Sequence, residues 1–139
     1  MYKHAYRVLM ALTLFAVLMV PATQAQSITV SAEIPFDFAV GEKWLPAGEY
    51  QVKPVNERVM LIQSQDARSS ALAMTTAVNT GKPSDVTKLV FNRYGEQYFL
   101  SKIWTRSSDT GRAFSKSRLE REVAARSGVK PVVTAVASK

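Results

Sequence analysis

From Ile28 to Val40 every second residue is apolar: Ile28, Val30, Ala32, Ile34, Phe36, Phe38 and Val40, with Thr29, Ser31, Glu33 and Asp37 among the residues between them. A helix turns once every 3.6 residues and cannot gather such a series on one face, whereas a strand alternates its side chains and can. The run therefore predicts extended chain with one face in a core. Pro35 lacks an amide proton, so a bend is expected there, dividing the run or placing it at a sheet edge.

The same reading carries along the chain. Gly41 opens a turn region that runs through Trp44-Leu45-Pro46-Ala47-Gly48, and Glu49 to Val55 alternates again with Tyr50 and Val52 on one side. Asn56-Glu57 makes a tight turn, and the unbroken apolar run Val59 to Ile62 predicts a strand covered on both faces. Ala71 to Val78 is β-compatible, although its alanines and methionine equally allow a helix, and Asn79 to Asp85, rich in Gly, Pro and small polar residues, is the longest loop. Lys88 to Tyr94 and Gln97 to Trp104 form the clearest hairpin, reversing at Tyr94-Gly95-Glu96. These segments predict an all-β domain, an antiparallel sandwich or small barrel of about seven strands.

A change of pattern follows at Ser117. Ser117-Arg118-Leu119-Glu120 has the spacing of a capping box, in which the serine oxygen accepts an orphan amide and the glutamate reaches back. With Gly128 placed to end it, a short helix over 118–126 is expected, docking on the sheet through Leu119 and Val123 together with Phe114. Val129 to Lys139 fits a last edge strand or a loose tail.

The N-terminus is of another kind. Lys3 and Arg7 precede Val8 to Val20, apolar but for Thr13, and small residues follow at Ala22, Thr23 and Ala25. This is the charge, length and cleavage pattern of an export signal, too short for a bilayer core that needs about 20 residues. Cleavage is expected after Ala25, giving a signal peptide over 1–25, a β domain over 26–111 and a basic helix and tail over 112–139. The product is expected to be periplasmic or extracellular, with no transmembrane span once the signal is removed. An outer-membrane barrel, whose strands need nine to eleven residues, is disfavoured by the short strands.

Composition limits the chemistry. The chain has no cysteine and its one histidine is His4, inside the leader. Ser-His-Asp and Cys-His catalysis, thiol redox chemistry and the usual zinc sites are thereby excluded from the exported part. No glycine-rich phosphate loop follows any strand. Glu33, Asp37, Glu49 and Glu96 are the acids available to a carboxylate-based hydrolase, but they sit where solvated strand faces put acids. Ser127 and Lys130 match a serine-to-lysine spacing of penicillin-recognising enzymes without its companion motifs, and Asp109 among Ser107, Ser108 and Thr110 has no EF-hand spacing. No enzyme, cofactor or metal is expected.

Charge is uneven. Residues 26–101 carry seven Lys and Arg against eight Asp and Glu, and residues 102–139 carry nine against three. Lys116, Arg118, Arg121, Arg126 and Lys130 are therefore the expected contacts for an anionic envelope component, export arguing against nucleic acid. As an alternative, Trp44, Tyr50, Phe91 and Trp104 could line a pocket in a barrel that carries a small apolar ligand.

Four segments, Ile34-Pro35-Phe36-Asp37-Phe38, Leu45-Pro46-Ala47-Gly48-Glu49-Tyr50, Leu89-Val90-Phe91 with Arg93-Tyr94-Gly95, and Tyr98-Phe99-Leu100 followed by Ile103-Trp104, together resemble a family of small exported β-domain proteins of soil bacteria. The resemblance covers roughly residues 28–126. It implies a leader, a compact β domain and a charged C-terminal stretch, and it brings no activity and no functional residues with it.

Overall fold

The computed structural model describes residues 29–139, so the expected signal peptide over 1–25 lies outside the described residues. The expected break at Pro35 is present. The alternating run gives β1 (Val30–Ile34) and β2 (Phe38–Val40), with Val30, Ala32, Ile34, Phe38 and Val40 all buried. Next come β3 (Lys43–Leu45), β4 (Gly48–Pro54), β5 (Val59–Ser64), β6 (Ser70–Asn79), β7 (Lys88–Tyr94), β8 (Gln97–Trp104) and β9 (Thr110–Phe114). One helix, α1 (Arg118–Ser127), and a last strand, β10 (Val132–Ala137), complete the described chain.

The ten strands make one open mixed sheet in the order β1-β4-β5-β6-β9-β8-β2-β3, with β7 lying on the other edge of β8 and β10 beyond β7. The all-β class with a short helix stands, with the strands joined in one open mixed sheet. Its strand count exceeds the expected seven for local reasons. The stretch read as a turn after Gly41 contains β3, paired antiparallel to β2 (Phe38↔Leu45, Val40↔Lys43). The segment after Val129 forms β10, paired with β7 from Val132↔Arg93 to Ala137↔Lys88. β2 also runs parallel to β8 (Phe38↔Tyr98), which makes the sheet mixed.

Two devices curl the sheet. The first is β6, whose residues 70–74 pair with β5 and whose residues 75–79 pair with β9. At the hand-over Thr75 is buried, and its amide and its hydroxyl both donate to Arg58 O, at 2.6 and 3.2 Å. The second is a bulge in the β7–β8 hairpin. Val90 pairs with Lys102 and Phe91 with Leu100, which leaves Ser101 without a partner on β7. The extra residue lets Leu100 and Ile103 both face the core although they are three positions apart.

The interior is filled by side chains. Phe38 meets Tyr50 and Phe91 edge to face, with ring centroids 5.0 and 5.5 Å apart, and Phe36 stacks on Tyr98 at 3.7 Å. Ala32, Val52, Ile62 and Leu89 close the space around them. Past β10 the chain returns to β1: the Lys139 amide donates to Ser31 O at 2.9 Å, and the Lys139 ammonium lies between Glu33 (3.6 Å) and Glu49 (3.2 Å). Those two acids are direct cross-strand partners, and like charges so placed repel. Lys139 offsets that repulsion, and the two carboxylates hold its pKa above the ordinary lysine value, Glu49 first.

Val59 to Ile62 is covered on one face only. Met60 and Ile62 are buried, whereas Leu61 lies in register with the exposed Leu72 and Val59 with the exposed Met74. Continuous apolarity here marks an apolar outer face and not a second covering layer.

Candidate functional site: the basic helix and its flanks

α1 begins as its sequence requires. Ser117 Oγ accepts the Glu120 amide at 3.0 Å, and Gly128 ends the helix in the left-handed conformation, its amide donating to Ala124 O at 3.3 Å. Only half of the expected capping box forms, however. The Glu120 side chain turns inward and is buried, where its Oε1 accepts from Asn92 Nδ2 at 2.9 Å and from the Tyr94 hydroxyl at 3.3 Å. The sheet offers two donors in a dry place, and that outcompetes one exposed backbone amide. Burial, then the nearby Glu120 charge, raises the Tyr94 phenol above its ordinary value.

Val123, with Leu119 and Ala124 beside it, packs on Ala39, Tyr94 and Phe99, as the docking expectation has it for the first two residues. Phe114 departs from that expectation, because it points into the main core on the other side of the sheet. The helix is thus held to the sheet by apolar contact and by a buried polar link.

This anchoring decides where the cations go. At about 100° per residue, Arg118, Arg121 and Arg126 share an outward arc of about 140°, with Glu120 and Val123 on the other side of the helix and Leu119 at its border. Lys116, Arg118, Arg121, Arg126 and Lys130 are all exposed. Arg118 is spoken for: its side chain bonds Glu122 at 3.0 Å and its backbone amide donates to Glu42 Oε1 at 2.7 Å. Among the described residues Lys116, Arg121, Arg126 and Lys130 have no carboxylate within salt-bridge distance. Beside them a depression of about 280 Å³ lies between the end of α1 and the β7–β8 turn, lined by Tyr94, Gly95, Gln97, Val123, Arg126 and Ser127.

No protein-family model, curated protein or solved structure matches the chain. What the molecule does therefore has to come from its own surface. No described helix is long and apolar enough to cross a membrane.

The four aromatics expected around one ligand are not brought together. Tyr50 and Phe91 are core residues, the Tyr50 hydroxyl donating to Pro46 O at 2.6 Å. Trp44 is 42 % exposed and tilts against Phe99 on the helix side of the sheet. Trp104 stands apart from both, beside Gly111 and the loop after β6. A strand alternates its side chains between two faces, so aromatics on four strands share a pocket only if every register agrees.

Of the four carboxylates the structure brings two together and leaves two apart. Glu33 and Glu49 meet at Lys139, Asp37 Oδ1 accepts the Ala47 amide at 2.9 Å, and Glu96 is exposed in the β7–β8 turn. Sequence reasoning missed Glu120 and Asn92 as partners. A glutamate three residues after a serine carries the same signal whether it caps or turns inward.

Proposed function

We propose that the chain is an exported, non-enzymatic binding module of the cell envelope, and that the outward arc of α1 with Lys116 and Lys130 is its contact for an anionic envelope component. One observation carries this reading. Arg121 and Arg126, on a helix that Val123 and Glu120 fix to the sheet, and Lys116 and Lys130, which flank it, are exposed and have no acidic partner among the described residues. Cations held on a rigid element lose little freedom on meeting a polyanion, and long-range attraction raises the rate of encounter. The leader pattern at the N-terminus and the absence of cysteine and histidine between residues 26 and 139 are consistent with an exported role that needs no catalysis.

The test is retention on isolated envelope material by the wild-type protein and by a variant with Lys116, Arg121, Arg126 and Lys130 all replaced by Ser. All four side chains are exposed, so the variant should fold normally. The wild type should be retained and released by salt, and the variant should elute early. Equal retention of the two would refute the assignment.

A further inference from the structure

Away from α1, the loop between β6 and β7 and the end of β8 enclose a depression of about 400 Å³, lined by Thr80, Lys82, Ser84, Asp85, Lys88 and Trp104 together with Pro83 and Val86. We propose that it is a binding site for an acidic saccharide, a pyranose unit bearing a carboxylate.

The walls are held in place. The Ser84 amide donates to Ser108 O at 3.0 Å, the Ser107 amide to Ser84 O at 2.8 Å, and the Thr80 amide to Asp109 O at 3.0 Å. The Arg106 amide donates to Thr87 Oγ1 at 3.0 Å. The loop that sequence alone marks as the longest and most polar is thus tied along its length to residues 106–109, and a ligand would meet a site already formed.

Trp104 is equally constrained. A Cβ on Gly111 would stand 2.6 Å from Trp104 Cε3 and 2.7 Å from Ile103 O, so the indole lies directly on a backbone that admits no side chain. Its cross-strand partner is Lys88. The indole therefore lines the depression from a fixed position with a cation beside it.

The polar groups select the ligand. Ser84 Oγ donates its proton to Val86 O at 2.7 Å, and Thr80 Oγ1 donates to Lys82 O at 2.8 Å. Both hydroxyls have spent their donors, and toward the depression they offer lone pairs, as does the Asp85 carboxylate. A ligand that suits these groups brings several hydroxyl donors. Lys82 and Lys88 have no carboxylate within salt-bridge distance among the described residues, and they outnumber Asp85, which favours one negative group on the ligand. An indole face, negative at its centre, takes the C–H side of a pyranose ring. The volume lies within the range of about 300–1,000 Å³ usual for small-ligand sites.

The test is calorimetric titration of the full exported chain with trigalacturonate, with neutral galactotriose and with adenosine monophosphate. Trigalacturonate should bind, and the neutral trisaccharide should bind at least about tenfold more weakly. Trp104→Ala, and separately Lys82→Gln with Lys88→Gln, should each weaken trigalacturonate by about tenfold or more, as the loss of one stacked ring does elsewhere. The lysine pair removes charge and leaves the indole in place, so it keeps the experiment decisive if Trp104→Ala does not fold. The loss caused by Trp104→Ala should be the same in a chain that also carries Arg121→Ser and Arg126→Ser, which separates this site from the basic helix. No binding at millimolar trigalacturonate, equal binding of the neutral sugar, tighter binding of the nucleotide, or no effect of Trp104→Ala in the helix variant would each overturn the proposal.

Discussion

At the scale of single residues, the buried Glu120 is the point on which the helix hangs. Its carboxylate satisfies Asn92 and Tyr94 at once, so Glu120→Ala strands two donors beside the sheet. The expected cost is about 1–3 kcal/mol, read from the urea midpoint. Tyr94 adds a pH dependence. Its phenol is raised by burial and by Glu120, so the folded state holds that proton more tightly than the unfolded one. The stability this gives is complete below the unfolded tyrosine value of about 10 and is lost as pH rises through the folded value. Tyr94→Phe should accordingly be less stable at pH 7 by about 1 kcal/mol, the worth of one hydrogen bond, yet lose stability less steeply between pH 10 and 11.5. Parallel urea titrations of the two proteins at those pH values check this, and identical slopes would count against it.

At the scale of elements, what the sequence made legible is what depends on neighbours along the chain. The break at Pro35, the Lys88–Trp104 hairpin, the Ser117 cap and the Gly128 stop are all set within a few residues, and all are present. β3 was hidden because three residues between Gly41 and Pro46 have no period to detect, and β10 was legible only as an edge strand or a tail, because its exposed valines become a strand by pairing with β7. The bulge at Ser101 and the corner at Thr75 follow from which strands meet across the sheet, which no local pattern encodes. The residues proposed as the anionic contact were legible as a charge cluster, whereas the loop around Trp104 was legible only as a loop. Two predictions belong here. Gly111→Ala should destabilise by about 1–3 kcal/mol in thermal or urea unfolding, because its Cβ must displace Trp104 or the Ile103 carbonyl. Ser117→Ala should cost about 1 kcal/mol by removing the cap that takes the Glu120 amide.

At the scale of the molecule, one curled sheet presents surfaces of different character. Its interior is closed by rings and aliphatic side chains, the outer face of β5 and β6 exposes Leu72 and Met74, each 64 % accessible, and α1 presents cations. Because Leu72 and Met74 bury little, replacing both by Gln should change stability by no more than about 0.5 kcal/mol each while raising solubility, which a urea titration and a solubility assay together determine. The C-terminal segment is part of the same sheet, since β9 crosses position 112 and β10 pairs with β7. Truncating it would remove structure along with charge, so the working surface is best tested in the intact chain. The most direct measurement is amide chemical-shift mapping of residues 26–139 titrated with isolated anionic envelope polymer. The account predicts that shifts concentrate on residues 116–130 and fade as salt is added; shifts confined to the outer face of β5 and β6, or unaffected by salt, would contradict it.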